Sequence, residues 1–196
     1  AETEGSTGVT EAGSTDLFTV VLNAQPTTDV VLSISSADTG EATVTSSLTF
    51  TSSNWDTAKT VTVTGVDDNI IDGTQTSTIT VSIIDGISDN AFDAVADQTV
   101  SVTTTDDDVA GFTIAETEGS TGVDESGSTD IFTIVLDTQP SSDVVLSITS
   151  SDTGEATVES LIQFTSANWD TAQNVTVTGA DAVSYTHLTL PTTLVV

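Results

Sequence analysis

An all-β fold, with two antiparallel sandwiches in tandem, is predicted by three properties of this sequence. Apolar and polar residues alternate at a period of two, as in Thr60-Val61-Thr62-Val63-Thr64 and Thr78-Ile79-Thr80-Val81-Ser82-Ile83. That is the pattern of a strand with one face buried. Clusters of Gly, Asp, Asn and Ser separate the alternating runs and supply the turns. Finally, residues 1–68 recur as 115–182 at a spacing of 114 residues, with about 50 of the 68 positions identical. A period of this length is a domain, not a short solenoid unit.

The strands follow in order. The first is expected near 112–114 and is visible only in the second copy, because nothing ahead of Ala1 matches it. The second spans 16–22, where Phe18, Val20 and Leu22 alternate with Leu17, Thr19 and Val21. The third spans 29–35, with Val30, Leu32 and Ile34 on one face. Four more are expected at 47–51, 59–65, 74–84 and 96–105. Their Thr and Val content suits a pleated, half-buried surface. No stretch carries a helical stripe with caps. Seven short strands in a repeat of about 110 residues describe an immunoglobulin-like β-sandwich.

The expected organisation is therefore a first repeat at 1–108 that lacks its first strand, and a second at 109–182 cut before its last strands. The second copy is not expected to fold natively as written. Residues 183–196 break the texture of the chain and hold its one Tyr and one His, Tyr185 and His187. That string resembles the read-through of a transposase sequencing adapter, so it is set aside from fold reasoning. His187 is given no catalytic or metal role.

Composition excludes several function classes. The chain has 30 acidic residues, one basic residue (Lys59) and a net charge of −29. Phosphate recognition needs Lys and Arg to displace counterions, so nucleic acid is excluded as a partner. Anionic membrane surfaces are excluded on the same ground, and no apolar run is long enough for a spanning helix. Cys is absent, which removes disulfides and thiolate chemistry. Disorder is not expected despite the acidity, because the apolar residues are abundant and patterned. The charge calls for bulk salt or a bound cation.

Three acidic groups stand out: Asp106-Asp107-Asp108 after the last strand, Asp67-Asp68-Asn69 with Asp72 after the strand at 59–65, and Glu11 just before the strand at 16–22. In a sandwich these strand ends can share one pole. Two carboxylates about 4 Å apart repel by about 4 kcal/mol at an effective dielectric near 20. Several such pairs need protons or a cation. Ca²⁺ accepts roughly six to eight oxygen ligands in irregular geometry, whereas Mg²⁺ demands a tighter octahedron. A purely oxygen donor set argues against zinc and copper. The run from Asp67 to Gly73 is not an EF-hand loop, since Ile71 sits where a ligand belongs and no Glu closes it. Asp29, Asp38, Asp56, Asp85, Asp89, Asp93 and Asp97 read as solvated loop residues.

These motifs resemble the Calx-β family, a calcium-binding sandwich of sodium–calcium exchangers and bacterial surface proteins. The resemblance is carried by Leu48-Thr49-Phe50 with Thr60-Val61-Thr62-Val63, by Val66-Asp67-Asp68-Asn69-Ile70-Ile71-Asp72-Gly73, and by Val102 through Asp106-Asp107-Asp108 to Phe112. It implies Ca²⁺ as the cofactor. It also implies Glu11, Asp67, Asp68, Asp72, Asp106, Asp107 and Asp108 as ligands, with Glu125 and Asp181 as their matches in the second copy. A family acid between the third strand and Phe50 has two candidates, Asp38 and Glu41. Asn69 and the stretch Gly73-Thr74-Gln75 depart toward fewer acids, which implies fewer or weaker ions.

The expected function is a calcium-binding structural or adhesive repeat. It would space and stiffen a long secreted or surface-anchored bacterial protein. Its partners would be calcium ions and neighbouring repeats, with any host or cell-surface ligand bound by other domains. Two alternatives stay open. One is a carbohydrate- or surface-binding module around Trp55. The other is an acidic, salt-adapted spacer with no specific ion site. An enzyme is not expected: no acid–base pair is defined, and near-identical tandem copies argue against one. Trp55 and Trp169 read as residues packed over the end of the core. The sequon at Asn174-Val175-Thr176 is not repeated at Thr60 and reads as chance.

Overall fold

The computed structural model describes residues 7–181. Two compact units divide between Val109 and Ala110, and each is a β-sandwich. Among the described residues no helix is long and apolar enough to cross a membrane.

Unit 1 contains eight strands: β1 (Thr7–Thr10), β2 (Thr15–Val20), β3 (Val30–Ser36), β4 (Ala42–Val44), β5 (Ser47–Phe50), β6 (Lys59–Gly65), β7 (Gln75–Ile83) and β8 (Gln98–Thr105). One sheet has the order β1-β8-β7-β3-β5 and the other β2-β6-β4. The alternation read from the sequence is what seals the space between them. Along β6 Val61, Val63 and Gly65 are buried while Thr62 and Thr64 are not. Along β3 Val30, Leu32 and Ile34 point inward. Val9, Phe18, Ile34, Ala42, Val61, Val63, Ile79 and Val102 form one core cluster, and Val30, Leu32 and Phe50 form a second.

Two strands lie outside the expected set. β4 is only three residues long, too short for periodicity to reveal. β1 pairs with β8 in parallel, Thr7 opposite Val102 and Thr10 opposite Thr105. A parallel partner supplied from about 95 residues away leaves no local signature, so the expectation of purely antiparallel pairing is corrected here. A turn at 11–14 then reverses the chain into β2. Gly13 adopts φ 78°, and the Thr10 N–H donates to Ser14 Oγ at 2.8 Å. Gly65 ends β6 under this turn. A Cβ there would lie 2.1 Å from the Thr10 carbonyl oxygen, so only glycine fits.

Asp89 also departs from expectation. It is not solvated but buried, 7% exposed. Its carboxylate accepts from the Thr27 N–H, the Thr27 hydroxyl, the Thr28 N–H and the Ala91 N–H. These bonds hold its pKa well below the usual carboxylate range. Asp89 thus staples the 24–29 loop to the 85–92 turns, a structural use of charge. Asp29, Asp38, Asp56, Asp85, Asp93 and Asp97 are exposed, as expected.

Unit 2 contains β9 (Phe112–Glu116), β10 (Thr129–Leu136), β11 (Val144–Ser147), β12 (Ala156–Val158), β13 (Leu161–Phe164) and β14 (Gln173–Gly179). Its sheets run β12-β14-β10-β9 and β11-β13. Ile134, Leu136, Ile162, Phe164 and Val175 form the core, with Trp169 packed against it. The expected first strand near 112–114 is β9, antiparallel to β10. The described residues of unit 2 include no counterparts of β7 and β8. Residues 183–196, with Tyr185 and His187, lie outside the described residues.

Candidate metal centre

The acidic pole of unit 1 is built by strand ends. β1 delivers Glu11, whose backbone N–H donates to the Thr105 carbonyl at the end of β8 at 3.1 Å. β8 runs straight into Asp106, Asp107 and Asp108. β6 runs into the turn that carries Asp67, Asp68 and Asp72. A fourth segment, the turn before β4, brings Glu41. The Glu41 carbonyl accepts from the Val66 N–H at 2.9 Å and from the Thr104 hydroxyl at 3.3 Å. Four chain segments distant in sequence thus converge at one end of the sandwich.

Carboxylate oxygens of Glu11, Asp106 and Asp108 lie within 4.8 Å of one another, and so do those of Glu11, Glu41 and Asp72. The two groups share Glu11, which is 1% exposed. One oxygen each of Glu11, Glu41 and Asp108 is buried with no hydrogen-bond partner. Burying a charged oxygen without a partner is costly, and a cation held by either group would satisfy the oxygens that line it.

The protonation pattern agrees. Burial, reinforced by the charges of Asp106, Asp68 and Asp72, pushes the Glu11 pKa up to about 7, although the Asp107 N–H opposes the shift. Burial also raises Glu41, with Asp72 and Asp38 adding repulsion. Asp108 is raised by burial and then by Asp106, Asp107, Asp68 and Asp67. Asp106 moves the other way. Its Oδ2 accepts from the Gly73 N–H at 2.7 Å and its Oδ1 from the Asp108 N–H at 2.7 Å, and these bonds lower its pKa. Asp106 therefore ties the Asp72-Gly73 turn to the turn after β8 while remaining charged.

Among the described residues no basic side chain relieves this crowding. Lys59, the one lysine, sits at the opposite end of β6, about 20 Å away at 3.3 Å per residue. Its ammonium donates to the Thr49 carbonyl and lies 5.0 Å from the centroid of the Phe50 ring.

Of the residues singled out from the sequence, Glu11, Asp72, Asp106 and Asp108 belong to the two groups. Asp67, Asp68 and Asp107 lie outside both. Asp68 and Asp67 still act on Asp108 through their charge, and Asp68 Oδ1 accepts from the Ile70 N–H at 2.7 Å. Between the two candidates for the remaining acid the structure selects Glu41. Asp38 is exposed and accepts from the Gly40 N–H at 3.0 Å instead. Both lie in a turn of equal acidity, and only burial separates them. In unit 2, Glu125 and Asp181 are exposed and join no acidic group among the described residues. The described residues of unit 2 include no strand corresponding to β8 that would bring acids beside them.

The donor set is compatible with a metal ion. It is all oxygen, anionic and irregular, which suits a hard cation of flexible coordination.

No family model matches the chain, and no curated protein matches it. Among solved structures, the chain is similar to the calcium binding domain CBD12 of CALX1.1, at 16% identity and a TM-score of 0.39, over 90% of this chain and 74% of that one. It is similar to domains 5–6 of the S-layer protein SbsC at 18% identity and a TM-score of 0.35, over 93% and 83%. It is also similar to a Bacteroides ovatus GH5 xyloglucanase at 14% identity and a TM-score of 0.36, over 54% of this chain but only 18% of that one. The fold is read from the sheet order itself, not from these likenesses.

Proposed function

We propose that unit 1 binds Ca²⁺ at its acidic pole, and that the chain serves as a structural repeat which spaces and stiffens a long extracellular protein. One observation carries the reading. Glu11 is fully buried with an unpartnered oxygen, among carboxylates that have no basic neighbour among the described residues. Glu11, Glu41, Asp72, Asp106 and Asp108 would hold the ion, with Asp67, Asp68 and Asp107 strengthening the field. The cation would neutralise charges that otherwise repel, and so lock the turns after β6 and β8 to the end of β1. Three residues separate Asp108 from β9, so ordering that turn would order the lead-in to the next repeat. A secreted or cell-surface setting would supply calcium at about millimolar levels, which suits weak modular sites. The near-identity of the two copies favours a spacer, and any adhesive contact would belong to other domains. The carbohydrate-binding alternative around Trp55 has only one half-buried indole to offer.

Thermal unfolding of the chain tests this reading. The arms are millimolar CaCl₂, NaCl at matched ionic strength, MgCl₂ at matched concentration, and chelator. Hydrogen exchange of the β8 amides reports on unit 1. Calcium is expected to raise the unit 1 midpoint by about 5–10 °C, the effect of ligand at roughly 10–100 times its Kd. The paired variant Asp106→Asn/Asp108→Asn should lose that gain. Equal midpoints in calcium and matched NaCl would instead establish an acidic, salt-adapted spacer.

A further inference from the structure

β5 is the last strand in the order β1-β8-β7-β3-β5, and among the described residues β13 pairs with β11 alone. Val30 lies opposite Phe50 and Leu32 opposite Leu48, and the Ile34 N–H donates to the Ser46 carbonyl at 2.9 Å. That bond fixes the phase of the ladder: the even residues of β5 face β3. In an antiparallel pair the intervening residues turn their N–H and C=O groups the other way. Ser47, Thr49 and Thr51 therefore aim theirs past the edge of the sheet. In unit 2 the Ile148 N–H donates to the Ser160 carbonyl at 3.0 Å, so Leu161, Gln163 and Thr165 do the same. Such a row is a template for another strand, and repeat proteins misassemble when like segments of different copies pair.

Part of this row is occupied, and it is the same part in both units. Asn54 opens the Asn-Trp-Asp-Thr turn after β5. Its Oδ1 accepts from the Thr51 N–H at 2.8 Å, and its own N–H donates to the Thr51 carbonyl at 3.2 Å. Asn168 treats Thr165 alike, at 2.6 and 3.2 Å. A second cap crosses from the facing sheet. Lys59, the first residue of β6, donates its ammonium to the Thr49 carbonyl. Gln173, the first residue of β14, donates from Nε2 to the Gln163 carbonyl at 2.8 Å. The two positions are related by the 114-residue repeat and both side chains are half-buried. They differ in charge and chemistry. What they share is an N–H donor on a long stem, delivered to the same outward carbonyl.

We propose that Lys59 and Gln173 are edge guards, which keep β5 and β13 from pairing with the same edge of a second copy of this chain. An incoming strand needs the Thr49 or Gln163 carbonyl to continue its ladder, and the guard already holds it. To pair, the strand must displace the donor and leave it without its acceptor, which is costly where the side chain is half-buried. The Asn54 and Asn168 turns close the next outward residue, so the open part of each edge is too short to template a strand. The donor carries the function; neither the positive charge nor the stem alone suffices, since Gln173 serves without charge.

Variants of the full chain test this by sedimentation and residue-resolved amide exchange. Lys59→Met with Gln173→Met keeps the stems and removes both donors. It should associate, and in the associated state exchange at Ser47, Thr49, Leu161 and Gln163 should slow by about tenfold. Each single Met variant should protect only the edge of its own unit, which keeps the test open should the pair unfold. Lys59→Gln installs at β5 the guard that β13 already has, and should remain a monomer. Met variants that fold and stay monomeric would overturn the proposal. So would a Lys59→Gln chain that associates as far as Lys59→Met, because charge and not the donor would then be the guard. Aggregation with no protection at these four amides would also overturn it, since unfolding and not edge pairing would be the cause. An unsubstituted chain already paired through Ser47 and Thr49 would do the same.

Discussion

Glu11 and Glu125 occupy the same turn in two copies of nearly the same sequence, and their fates differ. Around each, the local geometry is reproduced. Gly13 and Gly127 adopt φ of 78° and 83°. The Gly8 and Gly122 N–H groups donate to Asp16 and Asp130 at 2.9 and 2.7 Å. The Gly65 and Gly179 N–H groups donate to Ser14 and Ser128, both at 3.0 Å. Yet Glu11 is 1% exposed and Glu125 is open to solvent. The difference is β8. It pairs with β1 and carries the acidic triplet over Glu11, and the described part of unit 2 has no equivalent. The turn is a local product, whereas the site is made by a partner that arrives from far along the chain.

Substitutions can break or sharpen this comparison. The largest effect is expected where the units agree. Phe50 and Phe164 are both fully buried, so Phe50→Ala and Phe164→Ala should each cost about 3–5 kcal/mol of their own unit's stability. Chemical denaturation with residue-resolved exchange would check this, and a much smaller cost at Phe164 would show a loosely packed second unit. Next come the glycines. A Cβ at Gly65 would meet the Thr10 carbonyl oxygen at 2.1 Å, and one at Gly179 the Asp124 carbonyl oxygen at 1.9 Å. Gly65→Ala and Gly179→Ala should each cost about 1–3 kcal/mol. Only Gly65→Ala should also weaken calcium binding measured by calorimetry, because it displaces the turn that carries Glu11.

Glu11→Gln should reverse sign with conditions. In chelator at pH 8 it removes a buried, repelled charge and should raise the unit 1 midpoint by roughly 5 °C. In calcium it removes a shared ligand and should lower the midpoint. Glu125→Gln, at an exposed position, should stay within about 0.5 kcal/mol in both. An equal response at the two positions would erase the distinction between the units.

The last effect is a pH slope. The Glu11 pKa is raised from 4.5 to about 7, so between those values the folded state binds more protons than the unfolded one. Stability without metal should therefore fall as pH rises from about 4.5 through 7. Asp106, whose pKa is lowered, works oppositely: its contribution is present above its unfolded value and is lost on acidification below it. Calcium must displace the Glu11 proton. Calorimetry near pH 6.5 in buffers of different ionisation enthalpy should therefore show proton release on binding, and its absence would remove Glu11 from the ligand set.

The strands at 59–65, 74–84 and 96–105 were legible in the sequence because one face of each is buried and the other is not. The acidic turns were legible because carboxylates without counter-charges stand out in a chain with one lysine. β4 was not, being too short for a period. Nor was the burial of Asp89, since a carboxylate satisfied by four backbone and hydroxyl donors looks the same in sequence as a solvated one. The choice of Glu41 over Asp38 was equally hidden, because neighbouring acids in one turn differ only in which way the fold faces them.

By itself, then, the sequence determined the alternation that makes the sandwich, the duplication, the turns at Gly13 and Gly127, and the excess of negative charge, all of which depend on residues close together in the chain. Only the tertiary structure decided which carboxylates lose their water. That depends on β1 lying parallel to β8 and on the turn before β4 folding beneath Val66. Burial is a property of partners brought from a distance, and two copies of one local sequence can differ in it completely.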